Sequence, residues 1–251
     1  MTNSEIRYEM MKHQAKEINC NPDDFLSDVN KVYKTENESE QFFRMICFGN
    51  AAVARVNEKI YDWCVDFVSK HIGFRCFDGS QFSIIVRELA KYGFGLSCGQ
   101  GMVVDANLKC SSINTPYITR IINKADIKKF YDDEMGDKFY KNDGKYRMMR
   151  YSDATEYIIA AYDSDRVVGL VAADKNTDEI YDVGYETLSE YRQKGIATAI
   201  TIEMTNLLRN KGIISYAGLA WSNVSSKNVL IKSGYTAAWS KYGVVPNLGI
   251  Q

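Results

Sequence analysis

Apolar positions along the chain follow two periods, and the switches between them mark the elements. Near the start, Ile6, Met10 and Met11 share one side of a helix that begins at Ser4. It stops before Asn21-Pro22, where Asn21 as N-cap, Pro22 at the first position and Asp23 and Asp24 in the first turn open a second, short helix. Residues 31–34 and 48–56 read as strands. Ile60, Trp63, Cys64, Phe67 and Val68 then repeat with helical spacing, with Asn57 as N-cap and Gly73 as stop. Phe82, Ile85, Val86 and Leu89 repeat it again up to Gly93. A Trp and Phe stripe at that spacing belongs to a core. Residues 94–105 read as extended.

The pattern resets at the polar run Asn-Leu-Lys-Cys-Ser-Ser-Ile-Asn-Thr-Pro, residues 107–116. That run divides an α/β segment, 1–112, from a second, 113–251. The second opens with a strand (Tyr117–Ile122), a charged helix (Ala125–Tyr131) and a polar stretch from Asp132 to Lys145 read as loop or mixed helix. Tyr157–Tyr162 and Val167–Ala173, joined by Asp163-Ser164-Asp165, form a hairpin. Tyr181–Leu188 is a third strand. A helix follows, with Ile196, Ile200, Met204, Leu207 and Leu208 on one side and Gly212 at its end. Ile214–Trp221 is a strand, Ser225–Lys232 a short helix, and Gly234-Tyr235 begins a last strand.

Composition narrows the class. Of 251 residues, 45% are hydrophobic and 25% charged, an ordinary globular balance with enough apolar material for a sizeable core. A net charge of −1 is not the basic footprint of a nucleic-acid binder. Six cysteines form no CxxC pair, and neither His13 nor His71 stands at metal-ligand spacing to one. Reduced thiols and no metal are expected. The polar N-terminus has no secretory h-region, and no apolar run is long enough to span a bilayer. A cytoplasmic, soluble protein is the expectation.

Candidate chemistry is concentrated in Tyr185-Glu-Thr-Leu-Ser-Glu-Tyr-Arg192-Gln-Lys-Gly195-Ile-Ala197-Thr198. Here a strand turns through one glycine into a helix. The first N–H groups of a helix lack intrahelical partners and sit at the positive end of its dipole, which makes an anion site. Gly195 removes the Cβ that would hold a phosphate away, Ala197 keeps the surface low, Thr198 adds a hydroxyl, and Arg192 and Lys194 add charge. A glycine at such a corner also serves simply to make the turn. There is no GxGxxG after a strand and no GxxxxGK[ST].

Arg192-Gln-Lys-Gly195-Ile-Ala197 fits the (Q/R)xxGx(G/A) pattern and resembles the GNAT acyltransferase superfamily. So does Asn223-Val-Ser-Ser226-Lys-Asn228 with its closing Gly234-Tyr235. The likeness covers about Tyr157 to Tyr242. Through Trp239 it looks most like the subgroup that includes the zwittermicin-resistance acetyltransferase. The resemblance implies a central mixed, mostly antiparallel sheet flanked by helices, after a smaller helix-rich α/β domain. It implies acetyl-CoA as cosubstrate, with its pyrophosphate on the amides of Gln193, Lys194, Gly195, Ile196, Ala197 and Thr198. Tyr185, Glu186, Thr187 and Leu188 would meet the pantetheine arm. Asn223, Ser226 and Asn228 would line it, although Asn223 is also an ordinary helix cap.

The implied reaction is acetyl transfer to a primary amine of a small molecule or peptide. Glu186 is the first candidate base and Asp182 the second; strand alternation puts them on one face. Many members of the superfamily carry a tyrosine as general acid after the leucine of the short helix, but here Leu230 is followed by Ile231. Tyr235 is the replacement put forward, with Tyr242 behind it. A non-catalytic acetyl-CoA sensor is the alternative. Residues 1–112 are assigned an acceptor-side or dimer role, so a homodimer is possible on this reading; no nucleic acid and no membrane partner are expected.

Overall fold

A computed structural model of the protein describes residues 1–39, 41–108, 110–135 and 152–246. In chain order the strands are β1 (Lys31–Thr35), β2 (Phe43–Cys47), β3 (Ala52–Asn57), β4 (Phe94–Val104), β5 (Ile118–Asn123), β6 (Thr155–Asp163), β7 (Arg166–Lys175), β8 (Ile180–Thr187), β9 (Ile214–Ala220) and β10 (Tyr235–Pro246). The α-helices are α1 (Asn3–Ile18), α2 (Tyr61–Ser69), α3 (Gly79–Ala90), α4 (Lys124–Phe130), α5 (Ile196–Asn210) and α6 (Val224–Lys232). Two compact units emerge. The first holds Met1–Gly101, Leu219–Ser222 and the chain from Ala237; the second holds Met102–Gly218 and Asn223–Thr236.

In the first unit the strand order is β1-β3-β2-β10-β4. β1 runs parallel to β3, and β2 runs antiparallel to both β3 and β10. Thr2 caps α1 in a capping box with Glu5, and Asn21 caps the Pro22–Leu26 turn in the same way. One face of the sheet, with Phe43, Met45, Cys47, Ala52, Ala54 and Val56, shares a core with Cys64, Phe67 and Val68 of α2 and Ile85 and Leu89 of α3. The alternate positions reach α1. Arg44 pairs with Glu17 at 3.1 Å, Arg55 donates to the Ile18 carbonyl at 3.3 Å, and Lys241 of β10 meets Glu17 at 2.7 Å.

Two readings change here. The strand expected over 48–56 begins only at Ala52, as β3; residues 48–51 are the turn from β2, an unexpected strand that ends at Cys47, with Gly49 at φ +109° in that turn. Only Gly49-Asn50 interrupts the apolar run there, with Phe48 and Ala51 on either side, so hydropathy alone concealed the turn. Gly73 does not stop a helix; it opens a 3-10 turn, Gly73–Phe77. A Cβ there would lie 1.7 Å from the Asn50 carbonyl oxygen, so only glycine allows the two backbones to touch.

In the second unit the order is β9-β8-β7-β6-β5, antiparallel throughout except for the parallel β8–β9 pair. α5 covers one face, where Ile196, Ile200, Met204 and Leu208 meet Ile159, Val171, Ala173, Tyr181 and Val183. α4 covers the other, where Ile127 and Phe130 meet Ile158, Ala160, Leu170 and Ala172. Burial on both faces explains the unbroken apolar runs of β6 and β7. Both units thus have the expected mixed α/β class, with open sheets flanked by helices. The polar run after Asp105 is partly docked: Arg209 donates to the Asp105 carbonyl at 2.9 Å and Asn206 to the Cys110 carbonyl at 3.5 Å. The stretch read as loop or mixed helix begins as a π-helical turn, Tyr131–Met135, and from residue 136 lies outside the described residues.

Candidate functional site

The site begins where a sheet opens. β8 and β9 pair at Ile180–Ile214, Tyr181–Ser215 and Asp182–Tyr216, and the pairing ends there. β8 nevertheless runs on to Thr187, still paired with β7 as far as Gly169. Beyond Asp182 its β9 side therefore presents backbone groups without a ladder partner on β9, and such groups need partners.

The open stretch leads into the turn whose residues are expected to hold a phosphate. After a short 3-10 turn, Ser189–Tyr191, the chain passes through Gln193 at φ +62° and Gly195 at φ +81° before α5 starts at Ile196. Alternation of left- and right-handed residues turns successive N–H groups toward a common point, an anion-binding concavity. Gly195 is the N-cap, and no side chain caps the helix among the described residues. A Cβ at Gly195 would meet no atom within 4 Å, so the space above it is open and the glycine answers to its φ. Arg192, Gln193, Lys194 and Gly195 are exposed, while Ile196 and Thr198 are buried, which leaves the amides of the first turn as their outward contribution. Arg192 Nε donates to the Thr187 carbonyl at 3.3 Å, and Lys194 Nζ lies 4.5 Å from the Tyr191 ring centre.

A residue not singled out in the sequence seats this helix. A Cβ on Gly169 of β7 would lie 2.8 Å from Ile196 Cγ2 and 3.3 Å from Thr187 Oγ1, so Gly169 lets the start of α5 drop onto the sheet beside β8. A lone glycine inside an apolar strand was the available signal.

α6 stands on the other side of the opening. Asn223 Oδ1 accepts from Ser226 N at 3.1 Å and so caps α6, and Asn228 is exposed on the helix. Tyr185 donates its hydroxyl to the Ser226 carbonyl at 2.7 Å. Burial pushes its pKa up to about 12.

Residues 119–235, which hold all of these elements, match the family model described as "Acetyltransferase (GNAT) family". This segment is similar to the GNAT acetyltransferase family over 117 of the chain's 251 residues. Solved structures similar to the chain include a GNAT-family protein from Novosphingobium aromaticivorans, 13% identical, with 59% of this chain and 64% of that one covered at a TM-score of 0.45. An acetyltransferase from the GNAT family of Colwellia psychrerythraea is 14% identical over 63% and 60% of the two chains, TM-score 0.41. A GCN5-related N-acetyltransferase from Kribbella flavida is 13% identical over 64% and 63%, TM-score 0.44. The chain thus spans about three fifths of the length of these structures. Likenesses at such TM-scores bear on neither substrate nor site. No curated protein matches the sequence.

Within the matched segment the β7–β8 register is unbroken from Lys175–Tyr181 to Gly169–Thr187. Asp182, Gly184 and Glu186 therefore share the α4 face, while Val183, Tyr185 and Thr187 share the α5 face. Both carboxylates are half-buried, and Glu186 Oε2 is shielded from solvent. Thr187 is buried, and Leu188 packs into the α4-side core. Tyr235 is 1% exposed; its hydroxyl donates to Ser215 Oγ at 2.9 Å and lies 3.4 Å from Thr205 Oγ1. Tyr242, in the first unit, is also buried and donates to the Phe77 carbonyl. Burial raises the pKa of both phenols. Ile231 is half exposed beside buried Leu230. Among the described residues no group of three or more His, Cys, Asp or Glu could hold a metal, and no helix is long and apolar enough to cross a membrane.

Proposed function

We propose that this protein binds acetyl-CoA in its GNAT domain and transfers the acetyl group directly to a primary amine of a small molecule or peptide. The observation that carries the reading is the opening of β8 from β9 beside a helix N-terminus that no side chain caps among the described residues. A long, flexible donor with a pyrophosphate matches both features. The exposed turn Arg192–Gly195 and the first amides of α5, through Thr198, would hold the pyrophosphate. The backbone of Tyr185, Glu186 and Thr187 would pair with the pantetheine amides. Asn223, Ser226 and Asn228 would line the α6 side.

When bound, acetyl-CoA supplies an activated thioester. The reaction forms a C–N bond and breaks the C–S bond. A lysine-type amine, with pKa about 10.4, is neutral in about one molecule in 10³ at pH 7, a deficit of roughly 4–5 kcal/mol. Glu186 is proposed as the base that removes this proton, directly or through water, with Asp182 behind it. Of the two candidate donors, the Thr187 N–H would polarise the carbonyl, because the Leu188 N–H already donates to the Val168 carbonyl at 3.0 Å. Tyr235 now fits a structural role better than that of acid, because its hydroxyl is held inside the core by Ser215. A thiol of pKa about 8.5 is a far better leaving group than an amine of about 10.4, so the thiolate can depart and take its proton from water.

Placement in the zwittermicin-resistance subgroup is part of the same proposal and rests on the run from Ala220 to Trp239. The test is thermal unfolding with acetyl-CoA. A ligand at about 100 times its Kd stabilises by roughly 2.7 kcal/mol. Gly195→Asp keeps a residue that tolerates positive φ and adds a charge that repels phosphate. The wild type should gain stability and this variant should not. No gain in the wild type would end the reading.

A further inference from the structure

The opening between β8 and β9 has a strut across it. The last β8–β9 pair is Asp182–Tyr216. Three residues further along β8, Tyr185 reaches across and donates to the Ser226 carbonyl at 2.7 Å. Ser226 lies in the first turn of α6, and its own N–H is fixed by the Asn223 cap at 3.1 Å. The tether is therefore anchored at a capped helix end. Its other end is anchored too, since the Tyr185 ring packs against the core beneath α5 and its backbone pairs with Val171.

We infer that Tyr185 is a positioning residue: through its hydroxyl it sets the separation of β8 from α6, and so the width of the gap that receives the acyl donor's arm. This rests on the acetyl-CoA reading above. Paired strands lie about 4.8 Å apart, and a gap of that width has no room for a third chain. An aromatic ring with a hydrogen bond at its tip is a longer and stiffer spacer than a backbone pair. The same hydroxyl is already engaged by the protein, so Tyr185 acts on the donor through α6 rather than as a proton carrier.

Packing alone predicts a different outcome from tethering, because phenylalanine keeps the ring and loses only the bond. The full chain, its Tyr185→Phe variant and its Tyr185→Leu variant are titrated with coenzyme A by calorimetry, with melting temperatures taken in parallel. Tethering predicts a Kd raised about tenfold or more in Tyr185→Phe, with a melting temperature within a few degrees of wild type. Tyr185→Leu then binds no better than Tyr185→Phe. If Tyr185→Phe binds as the wild type does and only Tyr185→Leu is impaired, the ring is packing and the inference is overturned while the acetyl-CoA reading stands. If the wild type itself takes no coenzyme A, that reading falls and this inference with it.

Discussion

Gly169 shows how one residue controls a site it does not line. Ile196, the first residue of α5, packs where a side chain at 169 would have to go, and Ile196 is itself 2% exposed with nowhere to yield. Gly169→Val should therefore lift the first turn of α5 off β7. Overpacking of this kind costs about 1–3 kcal/mol, readable by urea denaturation. Coenzyme A binding should weaken in the same variant, because the amides of the anion site move with the turn. Unchanged affinity would mean that the turn adjusts independently of the sheet. Gly169 was visible in the sequence as a glycine in a strand, but its partner, Ile196, was not. Asn30 is a comparable case: its amide donates to the Val68 and His71 carbonyls at 2.8 and 2.7 Å and accepts from Ala52 N. No local pattern announces a residue whose partners are tens of positions away.

β8 carries the proposed chemistry. Its alternation was predictable from sequence, and the unbroken register with β7 keeps Asp182 and Glu186 on one face. Glu186→Gln keeps the shape and removes the base. Positioned general bases contribute about 10²- to 10⁴-fold. Turnover with an amine acceptor should fall within that range while the Kd for coenzyme A stays within about twofold. If turnover is unchanged in both Glu186→Gln and Asp182→Asn, neither carboxylate is the base. If the wild type binds acetyl-CoA and acetylates no member of a broad amine panel, the sensor alternative gains. α5 and α6 were read from helical spacing and glycine stops to within a residue or two. β2 was missed, because its run is short and gains its identity only from pairing with β3 and β10.

Over the whole chain, the first unit carries a charge arrangement with a consequence for acid stability. Burial raises the pKa of Glu17, but the Lys241 hydrogen bond and the Lys241 and Arg44 charges outweigh it and hold the carboxyl below its ordinary 4.5. Asp24 behaves alike: burial raises it, and the hydrogen bonds from Lys31 and Tyr33 bring it below 3.8. A carboxylate depressed in the folded state stabilises fully above its unfolded pKa, and that stability is lost as pH falls through the folded value. Loss should therefore set in below about pH 4.5, and Glu17→Gln should flatten the slope of stability against pH there. An unaltered slope would assign acid lability to other groups. Lys241 belongs to β10, so the first unit owes this pairing to the far end of the chain.

Local chemistry was sufficient for much of this protein. Periodicity showed most of the helices and strands, β2 excepted. Caps and stops such as Asn21 and Gly212 placed their ends. The turn from Arg192 to Thr198 marked the proposed anion site, because a helix start after a glycine has the same backbone chemistry wherever it occurs. What only tertiary structure decided are meetings between distant residues. β10 joins β2 through Ser240–Cys47, Lys241–Ile46 and Tyr242–Met45, almost two hundred positions apart. β8 and β9 part after Asp182 and Tyr216. Tyr235, exposed to speculation as an acid, is enclosed by Ser215 and Thr205. Propensity and spacing act over a few residues, whereas pairing and burial depend on which surfaces the folded chain brings together.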